Sequence, residues 1–141
     1  RALVAHEGLG TRVSTFEGPL EAHAFPEGHF DTVVAADVLE HFPDARGVAA
    51  EIARVLRQDG ELLVSLPSEN RFYELGRAAV GYTKPEDHYH EGEAVLAALG
   101  QHLEVDRRRH FPLDVGVLGV FLLARLVRRG PLPGAPAPSD T

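Results

Sequence analysis

Two short apolar runs with a helical pattern between them are the clearest features of the chain. Asp31–Ala36 and Glu61–Leu66 are rich in β-branched and aliphatic residues and have the length of strands that a parallel sheet buries on both faces. The segment between them starts at a helix-start signal, residues 43–44, and ends at the helix-stop signal Asp59-Gly60. Its apolar residues have the spacing of one helical face: Val48, Ile52, Val55 and Leu56.

This order of strand, helix and strand predicts a βαβ unit, in which a right-handed crossover makes the two strands parallel. We therefore expect an α/β fold. Ligands of open α/β sheets bind beyond the carboxyl ends of the strands. In this chain those ends are residues Ala35–Phe42 and Pro67–Tyr73, and this is where we expect a functional site.

The sequence on either side of this unit predicts shorter elements. Before it, Thr11–Phe16 has the pattern of a short strand, and residues 19–30 predict a loop or a short helix. After it, Glu91–Leu99 predicts a helix and Leu103–Arg107 predicts a strand. The apolar run Val115–Leu126 is ambiguous between helix and strand, and its glycines favour a strand.

The proline content changes sharply near the end of the chain. Residues 1–129 are expected to form one domain. Residues 130–141 are rich in Pro and lack an apolar pattern, which predicts a disordered tail.

Composition narrows the class of protein. Of the 141 residues, 44% are hydrophobic and 25% are charged, which is typical of a globular domain. The net charge of -7 argues against nucleic-acid binding, because attraction to phosphate depends on Lys and Arg. The absence of cysteine excludes a disulfide scaffold and a thiolate zinc site. The longest apolar run, Val115–Ala124, is about half of the roughly 20 residues that a membrane span needs, so we expect a cytoplasmic protein.

The charge is unevenly distributed along the chain. Residues 1–101 contain 8 basic and 17 acidic residues, whereas residues 102–141 contain 6 basic and 4 acidic residues. All six basic residues of the second part are arginines, and they flank the apolar run. One interpretation is a weak contact with an anionic membrane surface. The favoured interpretation is a core strand flanked by solvated arginines.

Three segments resemble the class I S-adenosylmethionine-dependent methyltransferases. Residues 30–42, FDTVVAADVLEHF, resemble the fourth-strand motif of that family, and residues 55–67, VLRQDGELLVSLP, resemble its next helix end and fifth strand. Residues 88–90, HYH, are similar to the loop before the family's last helix. The most similar branch is that of the type 11/12 methyltransferases, which includes the ubiquinone-biosynthesis-type O-methyltransferases. The resemblance implies strands 3 to 7 of a Rossmann-like sheet with flanking helices, and S-adenosylmethionine as the cofactor.

One motif of the family has no counterpart in the sequence. The family binds its cofactor with a glycine-rich loop, whose backbone N–H groups approach the ligand closely. Residues 8–10, GLG, are too short for this loop and follow no strand. The sequence contains no Met, and Arg1 falls where the family has its second helix. We therefore expect an N-terminally incomplete methyltransferase domain that is inactive alone, although its parent domain is expected to be an enzyme.

The resemblance implies two groups of cofactor-binding residues. The segment after the third strand would hold the adenine, and the carboxyl end of the fourth strand would lie along the methionine portion. A plain surface turn is the alternative for the first group, and a packed strand end is the alternative for the second. The residues concerned are Gly18, Leu20, Glu21, Ala35, Ala36 and Asp37.

Glu40 and His41 are the candidates for catalysis. A histidine can take a proton from a hydroxyl group while a methyl group is transferred to its oxygen. The alternative is that His41 only caps or packs against the helix that follows. The acceptor pocket is expected to include Phe42, Asn70, Tyr73, His88 and His90.

The histidine pair at positions 88 and 90 also has a second interpretation. Imidazole groups beside Glu86 and Asp87 have the chemistry of a divalent metal site. A complete site needs a third ligand, which the sequence does not identify. Lining of the acceptor pocket is therefore the favoured role, and no metal is predicted.

Two functions from different classes follow from these observations. The first is transfer of a methyl group from S-adenosylmethionine to O, N or C of a small-molecule or lipid-like acceptor, by positioning and, for a hydroxyl acceptor, by a base. The second is a non-catalytic remnant of such a domain that binds a partner protein or a membrane surface.

Overall fold

The computed structural model describes residues 13–67, 89–114 and 119–130. These residues form two helices and a four-stranded sheet. Single turns of 3-10 helix lie at Leu20–His23 and Leu39–His41. The strands and helices, in chain order, are β1 (Phe30–Ala36), α1 (Ala45–Val55), β2 (Leu56–Pro67), α2 (Gly92–Leu99), β3 (Glu104–Phe111) and β4 (Phe121–Val127).

The sheet has the order β1-β2-β4-β3. β1 and β2 are parallel, with Ala36 opposite Ser65 at their carboxyl ends, as the βαβ pattern predicts. β4 is antiparallel to both of its neighbours, β2 and β3. The mixed α/β fold expected from the sequence is therefore confirmed, and both strands predicted after α2 are present.

Helix α1 ends earlier than its sequence pattern predicts. Asp44 begins the helix by accepting a hydrogen bond from the Gly47 N–H at 2.9 Å, as a good N-cap does. The helix ends at Val55 and not at the predicted stop, residues 59–60. The reason is that Leu56 is fully buried and extended, so β2 begins there. The stop signal instead marks a bend within β2, where Asp59 has a left-handed backbone with φ of 59°.

The strand predicted at residues 11–16 is a second correction. Residues 13–17 are described and are not in a strand, because no ladder of backbone hydrogen bonds holds them. Phe16 is 59% exposed, and its ring lies 5.1 Å from the ring of His23 and 5.3 Å from that of Phe25. Aromatic contacts rather than strand pairing therefore determine the position of this segment. Almost all of the predicted tail, residues 131–141, lies outside the described residues.

The core lies on one face of the sheet. Alternate residues of the strands, such as Leu62 and Leu126, are fully buried and pack with the apolar sides of α1 and α2. The opposite face, which we call the outer face, carries Val34, Leu63 and Leu123, which are 68%, 39% and 40% exposed. Among the described elements, no helix covers the outer face.

Arg128 joins the elements at the amino end of β1 and β2. It is only 6% exposed and follows directly after β4. Its guanidinium donates to the carbonyl of Leu56 and, at 3.4 Å, to that of Arg54, and it forms an ion pair with Glu27 at 2.8 Å. One buried arginine thus connects β4, the end of α1 and the segment before β1.

We expect the substitution Arg128→Met to lower the free energy of unfolding by about 1–3 kcal/mol, because two carbonyls near the core lose a charged donor. The measurement is urea unfolding followed by circular dichroism. Arg129→Met is the matched control, since Arg129 is exposed and its one ion-pair partner among the described residues is Glu104, at 3.1 Å. The control should lower the free energy of unfolding by less than about 1 kcal/mol. Equal losses for the two variants would contradict the role of Arg128.

Candidate functional site

The carboxyl ends of β1 and β2 meet at Asp37, the residue after β1. Its backbone is left-handed, with φ of 47°, which is strained for a residue other than glycine. Two hydrogen bonds hold it there: the Asp37 N–H donates to the carbonyl of Ser65 at 3.1 Å, and the Ser65 hydroxyl donates to Asp37 Oδ1 at 2.9 Å. The carboxylate is therefore fixed in direction, and its second oxygen accepts no hydrogen bond from the described residues.

Glu40 and His41 lie in the 3-10 turn Leu39–His41, close to Asp37 in the chain. Glu40 is 1% exposed, whereas the side chain of His41 is 36% exposed. His41 Nε2 lies 4.0 Å from Glu40 Oε1, and within the described part of the chain Glu40 Oε2 has no hydrogen-bond partner. The turn thus places a buried carboxylate beside a partly exposed imidazole, at a separation longer than a hydrogen bond.

The beginning of α2 adjoins this turn. The Tyr89 N–H donates to the carbonyl of Glu40 at 3.0 Å, and His90 Nε2 donates to the carbonyl of Pro43 at 3.0 Å. Gly92 is buried against the end of β2, where an added Cβ would lie 2.7 Å from the carbonyl oxygen of Pro67. The elements that follow β1 and β2 therefore converge on the same edge of the sheet.

The structure describes both predicted groups of cofactor residues. Ala35 is buried in β1 and Ala36 is exposed at its end, next to Asp37. Gly18 is exposed with φ of 110°, and Glu21 is exposed in the first turn of 3-10 helix. The other member of that group, Leu20, packs against the core.

The residues predicted to bind the acceptor are only partly described. Phe42 is half-buried and packs against the core. His90 is half-buried and donates to Pro43. Asn70, Tyr73 and His88 lie outside the described residues. Within residues 13–67, 89–114 and 119–130, no group of three or more His, Asp or Glu side chains is arranged to hold a metal ion.

Two cavities of about 350 Å³ border this region. One lies on the outer face, and the side chains around it include Ala36, Ser65, Leu63, Arg107 and Arg109. The other lies between the start of α1 and α2, and His90 is among its lining residues. The first cavity is therefore continuous with the end of β1, where the small residues Ala35 and Ala36 leave space.

Electrostatic interactions organise the outer face. Arg125 donates to Glu61 and to Asp106, each at 2.6 Å. Donation of hydrogen bonds to Glu61 and to Asp106 raises the pKa of the Arg125 guanidinium above its ordinary value. In the described part of the chain, Arg107 and Arg109 form no ion pair. The outer face thus presents two uncompensated cations beside an apolar surface.

Sequence reasoning missed Ser65, Tyr89 and Gly92 as residues of this region. Ser65 could have been found, because the parallel pairing of β1 and β2 places it opposite Ala36 and next to Asp37. Tyr89 acts here through its backbone, and the importance of Gly92 arises from the close approach of Pro67. No pattern of residue types signals a contact of either kind.

Comparison with known proteins gives the same family as the motifs. Residues 1–64 match the family described as methyltransferase domain. The nocamycin O-methyltransferase of Saccharothrix syringae is 38% identical over 108 residues, which is 72% of this chain and 38% of that protein. The sterol 24-C-methyltransferase erg6 of Aspergillus fumigatus is 41% identical over 54 residues, which is 38% of this chain and 14% of that protein.

Solved structures extend the likeness in fold. The Burkholderia thailandensis 1,6-didemethyltoxoflavin-N1-methyltransferase, with S-adenosylhomocysteine bound, has a TM-score of 0.64 at 18% identity. It matches 92% of this chain, which covers 56% of that structure. The [4+2]-cyclase SpnF has a TM-score of 0.67 at 13% identity, with 92% of this chain and 61% of that structure covered. A cyclase with the same fold means that the fold alone does not determine the reaction.

The motifs of this chain, the family match over residues 1–64, the similar proteins and the solved structures together support a class I S-adenosylmethionine-dependent methyltransferase. The chain spans less than two fifths of the length of the nocamycin enzyme that it matches. Among the described residues, no helix has the length and apolar character that crossing a membrane requires.

We expect Gly92→Ala to lower the free energy of unfolding by about 1–3 kcal/mol, because the new methyl group would overlap the carbonyl of Pro67. Gly100→Ala, at the other end of α2, is the matched control. An added Cβ at Gly100 would have its nearest contact at 3.4 Å. The free energy of unfolding of Gly100→Ala should therefore stay within about 1 kcal/mol of the wild type. Thermal and urea unfolding measure both. A neutral Gly92→Ala variant would mean that the contact at Pro67 is not tight.

Proposed function

We propose that this chain forms the acceptor-side part of a methyltransferase domain that transfers a methyl group to a hydroxyl group of a small-molecule or lipid-like acceptor. The observation that supports this proposal best is the turn Leu39–His41, in which a buried carboxylate adjoins a partly exposed imidazole. Hydroxyl acceptors need a base during transfer, and this turn offers one at the expected edge of the sheet.

The residues at the end of β1 fit the cofactor of this family. The small side chains of Ala35 and Ala36 leave a cavity at this edge of the sheet, which would accept the methionine portion of S-adenosylmethionine. The oxygen of Asp37 that Ser65 does not engage would hold the ammonium group of that portion. When bound, S-adenosylmethionine supplies an electrophilic methyl group on a sulfonium centre. Contacts of Gly18, Leu20 and Glu21 with the adenine remain a prediction.

His41 is the proposed base. Its exposed imidazole would accept the proton of the acceptor hydroxyl while the oxygen attacks, and the Glu40 carboxylate at 4.0 Å would stabilise the imidazolium that results. Glu40 is buried and would not itself reach the acceptor. We therefore assign it a supporting role, and roles for Phe42, Asn70, Tyr73 and His88 in binding the acceptor remain predictions.

The relatives support a small-molecule acceptor. They are a nocamycin O-methyltransferase and a sterol 24-C-methyltransferase, and the Burkholderia thailandensis enzyme holds 1,6-didemethyltoxoflavin. By analogy we propose an acceptor of similar size. We further propose that this chain is the carboxyl-terminal part of the domain and that it acts in the cytoplasm, and both proposals rest on the sequence.

A calorimetric titration with S-adenosylmethionine decides between the two functions: if this chain transfers methyl groups by itself, it binds the cofactor in the micromolar range, and such binding would contradict a non-catalytic remnant. Asp37→Asn should weaken binding about tenfold or more, because the ligand's ammonium loses a charged acceptor. Asp31→Asn is the matched control, since Asp31 lies at the opposite end of β1, is 74% exposed and pairs with Arg57. No heat at millimolar ligand would contradict methyl transfer by this chain alone.

The same titration includes a variant that separates binding from catalysis. His41→Gln should bind the cofactor as the wild type does. With methyl-labelled S-adenosylmethionine and a panel of hydroxylated small molecules, it should transfer label about 10²–10⁴-fold more slowly. Equal transfer by His41→Gln and the wild type would remove His41 from the mechanism.

A second function has its own supporting observation, the outer face. There Leu63 and Leu123 are exposed beside Arg107 and Arg109, which have no ion-pair partner among the described residues. Basic residues around an apolar surface attract anionic lipid headgroups. We therefore keep, as the alternative, a non-catalytic module that binds a partner or a membrane surface.

For this alternative we expect the chain to float with vesicles containing anionic lipid and to remain unbound with neutral vesicles. The double variant Arg107→Glu, Arg109→Glu should lose the interaction, because each arginine near the surface contributes about 1 kcal/mol. Arg46→Glu, in the exposed first turn of α1 on the other side of the sheet, is the control and should float as the wild type does. Absence of flotation with anionic vesicles would exclude this function.

A further inference from the structure

The candidate catalytic turn cannot be stable by itself. It has two internal hydrogen bonds, from the His41 N–H to Val38 at 3.2 Å and from the Phe42 N–H to Leu39 at 3.3 Å. Both are long, and a single 3-10 turn has poor hydrogen-bond geometry. Burial of Leu39 and Glu40 fixes one side of the turn, while His41 lies at the partly exposed side. The position of the His41 ring must therefore depend on contacts from another segment.

Among the described segments that contact the turn, Tyr89–Gly92 holds its backbone through hydrogen bonds. Tyr89 and His90 donate to the carbonyls of Glu40 and Pro43, each at 3.0 Å, and these two carbonyls lie on either side of His41 in the chain. Two consecutive residues thus hold the backbone before and after the proposed base. We call this four-residue segment the bracket.

The other end of the bracket is fixed to the sheet. Gly92 lies so close to β2 that an added Cβ would be 2.7 Å from the Pro67 carbonyl and 3.1 Å from Leu66 Cβ. Both β2 residues are buried, and Gly92 begins α2, whose apolar side packs in the core. Because the bracket contacts both the end of β2 and the turn that carries His41, the position of the turn depends on that of the strand end.

We infer that His90 is a positioning residue for His41: its Nε2–H holds the Pro43 carbonyl and so sets the geometry of the catalytic turn. This role uses Nε2 of His90 only, and the lining of the acceptor pocket by His90 stays a prediction. The functional consequence rests on the proposed role of His41 as the base. The structural part, a turn held by the bracket, is independent of it.

The test uses the full chain and reports on the turn itself. In His90→Ala the imidazole ¹⁵N signals of His41 should shift, and the amide of Phe42 should exchange with solvent faster than in the wild type. His90→Gln should restore both, because its amide group can also donate to Pro43. His102→Ala, beyond the other end of α2, is the matched control and should leave the His41 signals unchanged. Unchanged His41 signals in His90→Ala, or no restoration in His90→Gln, would overturn the inference.

A second measurement covers the case in which His90→Ala does not fold. In the wild type, the amides of Tyr89 and Phe42 should exchange slowly and with the same opening free energy, since the bracket and the turn would open as one unit. Fast exchange of the Tyr89 amide beside a protected Phe42 amide would overturn the inference.

A kinetic measurement separates this inference from the proposed function. With a working acceptor, His90→Ala should lower kcat while the affinity for S-adenosylmethionine stays within twofold of the wild type. If the wild type binds no S-adenosylmethionine, the proposed function fails, whereas the signals of His41 still decide whether the bracket holds the turn.

Discussion

The pairing of β2 with β1 on one side and β4 on the other is the constraint on which the rest of the structure depends. Its parallel side brings the carboxyl ends of β1 and β2 to one edge, and this sets Asp37 against Ser65. Its antiparallel side returns the chain to the opposite edge, where Arg128 reaches Leu56. Because β2 is central and largely buried, a shift of one residue would turn its core side chains toward solvent, so its register is strongly specified.

The geometry of the candidate site depends on how this edge is assembled. Three chain segments end or begin there: Asp37 after β1, Pro67 at the end of β2, and Gly92 at the start of α2. Asp37 contributes a carboxylate of fixed direction, and Pro67 contributes a rigid backbone carbonyl. Gly92 contributes a close contact between α2 and that carbonyl. Side chains that act on a ligand need such support, because small displacements of a reacting group reduce rates strongly. The partly exposed His41 thus lies in a turn whose backbone is hydrogen-bonded to another segment and whose buried side packs in the core.

Much of the fold could be predicted from the sequence, because it depends on local patterns. The apolar runs around Val33 and Val64 and the helical face of α1 each carry their own periodicity, and the structure agrees with them. The predicted strand before Gly18 failed because a strand also requires a partner, which periodicity does not reveal. Among the candidate site residues, Asp37 and Glu40 are predicted from motifs, whereas the contact between Tyr89 and Glu40 joins residues far apart in the chain and leaves no local signal.

The positions of Arg128 and Asp37 have a consequence for how such a protein can change over time. Arg128 holds the elements at the amino end of β1, and the candidate site lies at its carboxyl end. The seven residues of β1 place about 20 Å between the two. Substitutions that are far apart and share no partners affect stability independently. Substitutions at the candidate site should therefore leave the contacts of Arg128, and the stability that they provide, largely unchanged. The length of β1 therefore makes the stability of the fold and the composition of the candidate site largely independent of each other.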